Sequence, residues 1–333
     1  MKRVGHLFEQ VASFDSLHRA AQRTIKGHKS LPTYANFAFD METHVLALER
    51  ELLDGTYHPR PYRTFSITDP KPRTISAADL RDRVVHHAVC EALEPIFERL
   101  AIFDSYACRK GKGTHKALVR VRQYCQKYPY FMKLDIRHFF ETVDHGVLKA
   151  QVRKVVKDQK LLWLVDIFID HGAPGSQVGK GLPIGNLTSQ HFANFQLSFL
   201  DHFIKDKLGV KAYVRYMDDE LLFADSKQQL FAWLKEIESF VLTDLKLELK
   251  SERTVVAPIE QGVPFLGFRV WPSITRLSAK TRKRFISGVR RLEMEFDQNI
   301  INERTLVRSM ASRVGHVMHA NTRSFRRSVF YTD

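Results

Sequence analysis

The sequence predicts an α+β protein: a small antiparallel sheet backed by helices, with a separate helical lobe at the end of the chain. Three observations carry that expectation. The order of elements reads β-α-loop-α-ββ-α-ββ-α, which suits strands that pair as hairpins rather than a parallel sheet. Tyr213–Phe223 alternates around a polar pair, as two strands and a tight turn would. After Trp271 the chain is helical in pattern and basic, with 13 Lys and Arg against 5 Asp and Glu.

Taken in order, residues 1–55 read as helical, with Val45, Leu48 and Leu52 at helical spacing and Gly55 as terminator. Pro59, Pro61, Pro70 and Pro72 enforce extended chain, in which Phe65 and Ile67 alternate as in a strand. Asp79–Leu100 is an amphipathic helix expected to break near Pro95. Phe131–Ile136 is a short apolar strand, and Asp144 is placed to cap a helix running to about Val156. Gly172–Gly181 is a glycine-rich loop, and Thr188 or Ser189 is expected to cap the helix that carries Phe192, Phe195 and Phe199. A further helix at about 227–245 precedes two more strands between Val255 and Val270.

The 333 residues carry 52 basic and 37 acidic side chains, a formal charge of +15 that favours a polyanionic partner. With 44% hydrophobic residues the chain can bury a core, so a disordered solvating tail is excluded as its main state. No run is long and apolar enough to span a bilayer, and Met1–Arg23 lacks the apolar centre of a signal peptide. Cys90, Cys108 and Cys125 are singletons without metal or disulfide spacing, expected as buried or inert thiols in a reducing cytoplasm.

The chemistry is concentrated in carboxylates. Tyr216-Met217-Asp218-Asp219 puts two adjacent aspartates into an apolar hairpin, where they repel and resist desolvation unless a cation neutralises them. A solvated turn is the plainer reading of that tetrapeptide alone. Asp135 ends the other apolar strand, Phe131-Met132-Lys133-Leu134-Asp135-Ile136. If the two strands are neighbours, Asp135 and Asp218 converge with Asp219 beside them. Such hard oxygen ligands suit Mg²⁺, which completes its shell with substrate phosphates. Two such ions activate a 3′-hydroxyl and steady a departing pyrophosphate.

On these residues the chain resembles a reverse transcriptase, with Asp135 as the first palm aspartate and Tyr216–Asp219 as the signature box. Further motifs follow in the family's order. Lys71–Ser76 with Asp82-Arg83 resembles the first fingers block, and Ser105–His115 the second. Phe265-Leu266-Gly267-Phe268 resembles the primer grip, and Gly315-His316 with Ala320-Asn321-Thr322 a thumb-like helix pair. The block Leu182-Pro183-Ile184-Gly185-Asn186-Leu187-Thr188-Ser189-Gln190 departs from the Pro-Gln-Gly and Ser-Pro of mobile-intron and retroviral enzymes. Ile184 and Gln190 in that block resemble the reverse transcriptases of diversity-generating retroelements.

The resemblance implies a right-hand polymerase with fingers, an antiparallel-sheet palm and a helical thumb. Its expected division is an N-terminal helical extension (1–58), fingers (59–130), the first carboxylate strand of the palm (131–145), fingers and palm helices with a loop (146–180), the remaining palm (181–271) and a basic helical thumb (272–333). It implies an error-prone RNA-directed DNA polymerase that copies a template-repeat RNA into adenine-mutagenised cDNA. Asp135, Asp218 and Asp219 would be catalytic and, with Ile136, would hold two Mg²⁺ ions, Mn²⁺ being a substitute. Lys71 and Arg73 would reach the triphosphate, and Phe140 would exclude a 2′-hydroxyl, with Ile184 and Gly185 lining the nucleotide. Ile184 and Gln190 would tune fidelity. Arg109, Lys110 and Lys112, and Arg282, Lys283, Arg284, Arg290 and Arg291 on the thumb, would contact nucleic acid. Lys250 or Arg253 is the candidate general acid.

The implied partners are template RNA, a DNA or cDNA primer, deoxynucleoside triphosphates and a small basic oligomeric accessory variability protein. The implied setting is the cytoplasm, bacterial or phage-encoded. Two other readings stand beside this one: a reverse transcriptase of retron, abortive-infection or intron-derived lineage, and a catalytically idle RNA-binding scaffold.

Overall fold

A computed structural model describes residues 2–68 and 72–331. Four helices come first: α1 (Phe8–Ala12), α2 (Phe14–Ile25), α3 (Pro32–Phe39) and α4 (Met41–Leu53). The antiparallel strands β1 (Arg63–Thr68) and β2 (Pro72–Ala77) follow, then α5 (Leu80–Leu100) and α6 (Thr114–Cys125). Next are β3 (Tyr130–Asp135), α7 (Phe139–Thr142), α8 (His145–Val155), α9 (Gln159–Asp170) and α10 (Leu187–His202). β4 (Tyr213–Tyr216), β5 (Asp219–Ala224) and α11 (Lys227–Thr243) precede four short strands. These are β6 (Val255–Pro258), β7 (Val263–Phe265), β8 (Phe268–Val270) and β9 (Thr275–Leu277). The chain closes with α12 (Ala279–Asp297), α13 (Glu303–Val317) and α14 (Arg323–Phe330).

The chain forms two compact units that interleave along the sequence. One comprises residues 1–103, 136–209 and 236–250; the other comprises 104–135, 210–235 and 251–333. The first is mainly helical. Leu17 of α2, Leu48 of α4 and Val85 and Val89 of α5 are buried in it, and Phe97 stacks on Phe195 of α10 with ring centroids 4.2 Å apart. Asp144 caps α8 as expected, its Oδ1 accepting from the Val147 amide at 2.9 Å.

The second unit holds two antiparallel sheets, one in the order β4-β5-β3-β6 and one in the order β7-β8-β9. Strand periodicity puts Phe131, Val214, Leu221 and Phe223 on one face of the larger sheet, where they join Leu118 and Val121 of α6. The same core takes in Phe265 and Phe268 of the smaller sheet, Phe285 and Val289 of α12, and Val317. Strand β4 is a sheet edge, and residues 104–106 cover it. The Arg215 amide donates to the Asp104 carbonyl at 3.0 Å, and the Tyr106 amide to the Arg215 carbonyl at 2.9 Å.

Several local expectations need correction. Helix α5 runs unbroken through Pro95, because Leu93, Ile96 and Phe97 around it are buried and their packing outweighs one missing amide. The N-cap of α10 is Asn186, not Thr188 or Ser189, which are buried within its first turn. Residues 255–270 form three strands rather than two, because β6 extends the larger sheet while β7 turns back on β8. Cys90 and Cys125 are buried, and burial pushes the Cys125 thiol up to about 12; Cys108, however, is exposed.

Candidate active site

The hairpin of β4 and β5 turns through Met217 and Asp218, with Tyr216 and Asp219 as the closing pair. Met217 adopts a left-handed backbone, φ +52°. β3 lies antiparallel beside β5, and its register sets Asp135 directly opposite Asp219. The cross-strand partner of Asp135 is therefore Asp219 and not Asp218, since the two-residue turn consumes Asp218. Asp135, Asp218 and Asp219 are all partly exposed. Two carboxylates facing one another across an antiparallel pair destabilise the sheet unless a positive charge intervenes.

A positive charge is present. Lys133, two residues before Asp135 and so on the same face of β3, sets its Nζ 2.6 Å from Asp219 Oδ1. The side chains are 20% and 34% exposed, so the pair is half-shielded from water. Sequence reasoning passed over Lys133, although its period-2 relation to Asp135 was available. Arg215 was also missed. It is fully buried in β4, directly opposite the equally buried Glu220, and its Nη1 donates to the Met217 carbonyl at 3.3 Å. A guanidinium thus reaches the backbone of the aspartate turn from the face opposite the carboxylates. On the near side, Tyr216 Oη accepts from Thr114 Oγ1 at 3.3 Å, which ties the turn to the start of α6.

Among the described residues, no group of three or more His, Cys, Asp or Glu side chains stands ready to hold a metal ion. Mg²⁺ does not need one. It keeps several waters and takes one or two carboxylates plus substrate phosphates. The Asp135–Asp219 pair supplies such hard oxygens, and the Lys133 ammonium shows that the position already draws a cation.

The other candidates are distributed as follows. Lys71 lies outside the described residues. Arg73 is exposed on β2, opposite Ile67. Phe139 is 2% exposed and fills the core, while its neighbour Phe140 is only half-buried, with ring centroids 5.6 Å apart. The Ile184 carbonyl accepts from the Ser76 amide at 2.8 Å, which fastens β2 to the 182–190 segment. Gly185 follows at φ +114°, and a Cβ there would meet Ile75 Cγ2 at 2.7 Å. Gln190 is exposed. Ile136, the residue after Asp135, is buried and forms an isolated bridge with Leu249.

Arg109 Nη1 donates to the Ser105 carbonyl at 2.7 Å, Lys112 lies 5.1 Å over the Tyr106 ring, and Lys110 is exposed. On α12, Arg282, Lys283, Arg284, Arg290 and Arg291 are all exposed. Arg282 lies 5.0 Å over the Phe325 ring, and Arg291 pairs with Glu295 at 3.5 Å. Neither Lys250 nor Arg253 is distinguished by its placement.

An antiparallel sheet with paired aspartates at a hairpin and helices around it is the architecture of a right-hand polymerase palm. Solved structures agree on the fold. Apo telomerase from Candida tropicalis, truncated from its C-terminal domain, superposes with TM-score 0.51 at 13% identity over 69% of this chain and 59% of that one. Telomerase from the same organism in complex with a fragment of telomeric RNA gives 0.51 at 12% identity over 86% and 58%. Residues 68–270 match the family model described as reverse transcriptase (RNA-dependent DNA polymerase), and the chain belongs to that family. Among curated relatives, the group II intron-encoded protein LtrA of Lactococcus lactis is 25% identical over 74% of this chain. Protein YkfC of Escherichia coli is 27% identical over 67% of this chain and 70% of its own length. The chain spans 53% of the length of LtrA. Among the described residues no helix is long and apolar enough to cross a membrane.

Proposed function

We propose that the chain is an error-prone RNA-directed DNA polymerase serving a diversity-generating retroelement, and that it extends a DNA or cDNA primer on a template-repeat RNA. The observation that carries the polymerase reading is the Asp135–Asp219 register pair at the Asp218 turn. These three residues, with Ile136 beside them, would hold two Mg²⁺ ions. When bound, the ions supply charge neutralisation at the primer 3′-oxygen and the departing pyrophosphate.

The chain's own side chains do the rest. Lys71 and Arg73 draw the triphosphate, and Phe140, left free of the core by Phe139, leaves no room for a 2′-hydroxyl. The exposed bases of α12 and the basic residues of the 109–112 loop hold phosphates. In this reading residues 59–130 and 146–180 act as fingers and associated helices, 131–145 and 181–271 as palm, 272–333 as thumb and 1–58 as an extension. An accessory variability protein and a cytoplasmic setting belong to the same reading.

Support for the retroelement lineage is Ile184 and Gln190 in the 182–190 block. A glutamine amide at position 184 would hydrogen-bond near the sugar, and a branched alkyl group cannot. One hydrogen bond is worth about 1 kcal/mol, a factor of roughly five in discrimination. The likeness to LtrA favours a second reading, an intron-derived enzyme. Sequencing of cDNA made on an RNA template with Mg²⁺ separates the two. Errors concentrated at template adenines, and reduced in Ile184→Gln, support the retroelement reading. An even spectrum unchanged by Ile184→Gln supports the intron-derived one. Asp218→Ala should abolish extension that the parent supports; no extension by the parent would return the chain to the idle-scaffold reading.

A further inference from the structure

Lys133 has a role in no part of the reading above, yet it makes the closest charged contact of the carboxylate pair. Its Nζ lies 2.6 Å from Asp219 Oδ1, across the diagonal of the β3–β5 ladder, whose direct partners are Lys133 with Leu221 and Asp135 with Asp219. The lysine stem runs beside Leu221, which is fully buried, so only the ammonium end reaches polar surroundings. With its side chain only 20% exposed, Lys133 needs a counter-charge, and Asp219 supplies it. Lysine is also the suitable cation for a replaceable contact. Its compact charge makes a single bond to one carboxylate oxygen, whereas an arginine fork would lock both.

We propose that Lys133 is a resident counter-cation of the site. It holds the facing carboxylates together when no divalent ion is bound, and it gives up Asp219 when one arrives. This deepens the metal-site reading and rests on it. Two opposed consequences follow. Without metal, loss of the ammonium leaves Asp135 and Asp219 facing one another uncompensated, so the protein is less stable. With metal, the same loss removes a competitor, because the ion no longer has to break an existing pair before binding. A lysine that merely packs against Leu221 would produce only the first effect.

The test compares the full chain with Lys133→Met, Asp219→Asn and the double variant. It uses thermal unfolding in chelator and in graded Mg²⁺, and Mn²⁺ binding followed by electron paramagnetic resonance of the free ion. Lys133→Met should lower the metal-free midpoint by about 2–4 °C. It should also gain more from Mg²⁺ than the parent and bind Mn²⁺ at least about threefold more tightly. The double variant, lacking both charges, should recover the metal-free midpoint, and it keeps the test open if the single variant folds poorly. An unchanged metal-free midpoint, a double variant as unstable as Lys133→Met, or Mn²⁺ binding in Lys133→Met no tighter than in the parent would overturn the proposal. Failure of the underlying reading looks different: Mn²⁺ binding would then be the same in Asp219→Asn as in the parent.

Discussion

Asp135 and Asp219 face each other as direct partners in the β3–β5 ladder, and Lys133 reaches diagonally from the same strand face to bond Asp219. Three charged side chains therefore share one end of a sheet face on which Phe131, Val214, Leu221 and Phe223 are core. The apolar ladder fixes the register, because a slip of one residue would turn Phe131 and Lys133 to opposite faces from their present ones. Packing far from the turn thus determines which carboxylates meet.

Arg215 should prove a stability determinant. It is fully buried, faces the buried Glu220 and donates to the Met217 carbonyl. Arg215→Met would release the turn carbonyl and remove the buried positive charge across the ladder from Glu220, at a cost of about 3–5 kcal/mol. Arg215→Met combined with Glu220→Leu should recover most of that loss. Denaturant unfolding of the parent and the two variants measures both numbers.

Gly185 should resist any side chain. Gly185→Ala meets Ile75 Cγ2 at 2.7 Å and must also hold φ +114°. The two penalties together come to about 2–4 kcal/mol. Adding Ile75→Ala relieves the contact but not the backbone strain, so thermal unfolding should show only partial recovery.

His86 gives the fold an acid-sensitive element. It is buried edge-on to Phe168, and burial pushes its imidazole down to about 3. Between roughly pH 6.5 and that value the unfolded chain carries a proton that the folded chain does not. Its contribution is therefore intact above about pH 6.5 and is lost progressively as the pH falls. His86→Gln should flatten the acid limb by up to about 1.4 kcal/mol per pH unit in this window. Stability measured by denaturant at pH 4, 5, 6 and 7 tests this.

Exposed bases on α12 should act on nucleic acid additively. Replacing Lys283 and Arg290 with alanine should weaken binding to RNA–DNA duplexes of any sequence. Each replacement should reduce the slope of log affinity against log salt by about one. Fluorescence anisotropy across a salt series reads the slope directly.

Much of this was legible in the residues, and the failures have physical causes. The α+β class, the strand ending at Asp135, the Tyr213–Phe223 hairpin and the Asp144 cap all follow from local signals: alternation, a polar pair and a capping side chain. Pro95 misled because the burial of Leu93, Ile96 and Phe97, which keeps α5 whole, is a tertiary fact. The pairing of Asp135 with Asp219 depends on how many residues the turn consumes, and adjacent aspartates look alike in a sequence. Nothing in the sequence around Arg215 and Glu220 signals their burial; only the folded sheet reveals that both are buried. Lys133 lay in plain view, two residues from Asp135, but a lone lysine in a strand carries no signal until its cross-strand neighbour is known.

The decisive measurement is single-nucleotide extension of a DNA primer on an RNA template in Mg²⁺ by Asp135→Asn and Asp219→Asn, with unfolding midpoints recorded alongside. Each variant should lose about a thousandfold or more in rate; Asp135→Asn should keep or raise its metal-free midpoint, since it relieves repulsion, whereas Asp219→Asn should lower it, since Lys133 loses its counter-charge. Extension within tenfold of the parent by either variant would contradict a polymerase chemistry centred on these two carboxylates.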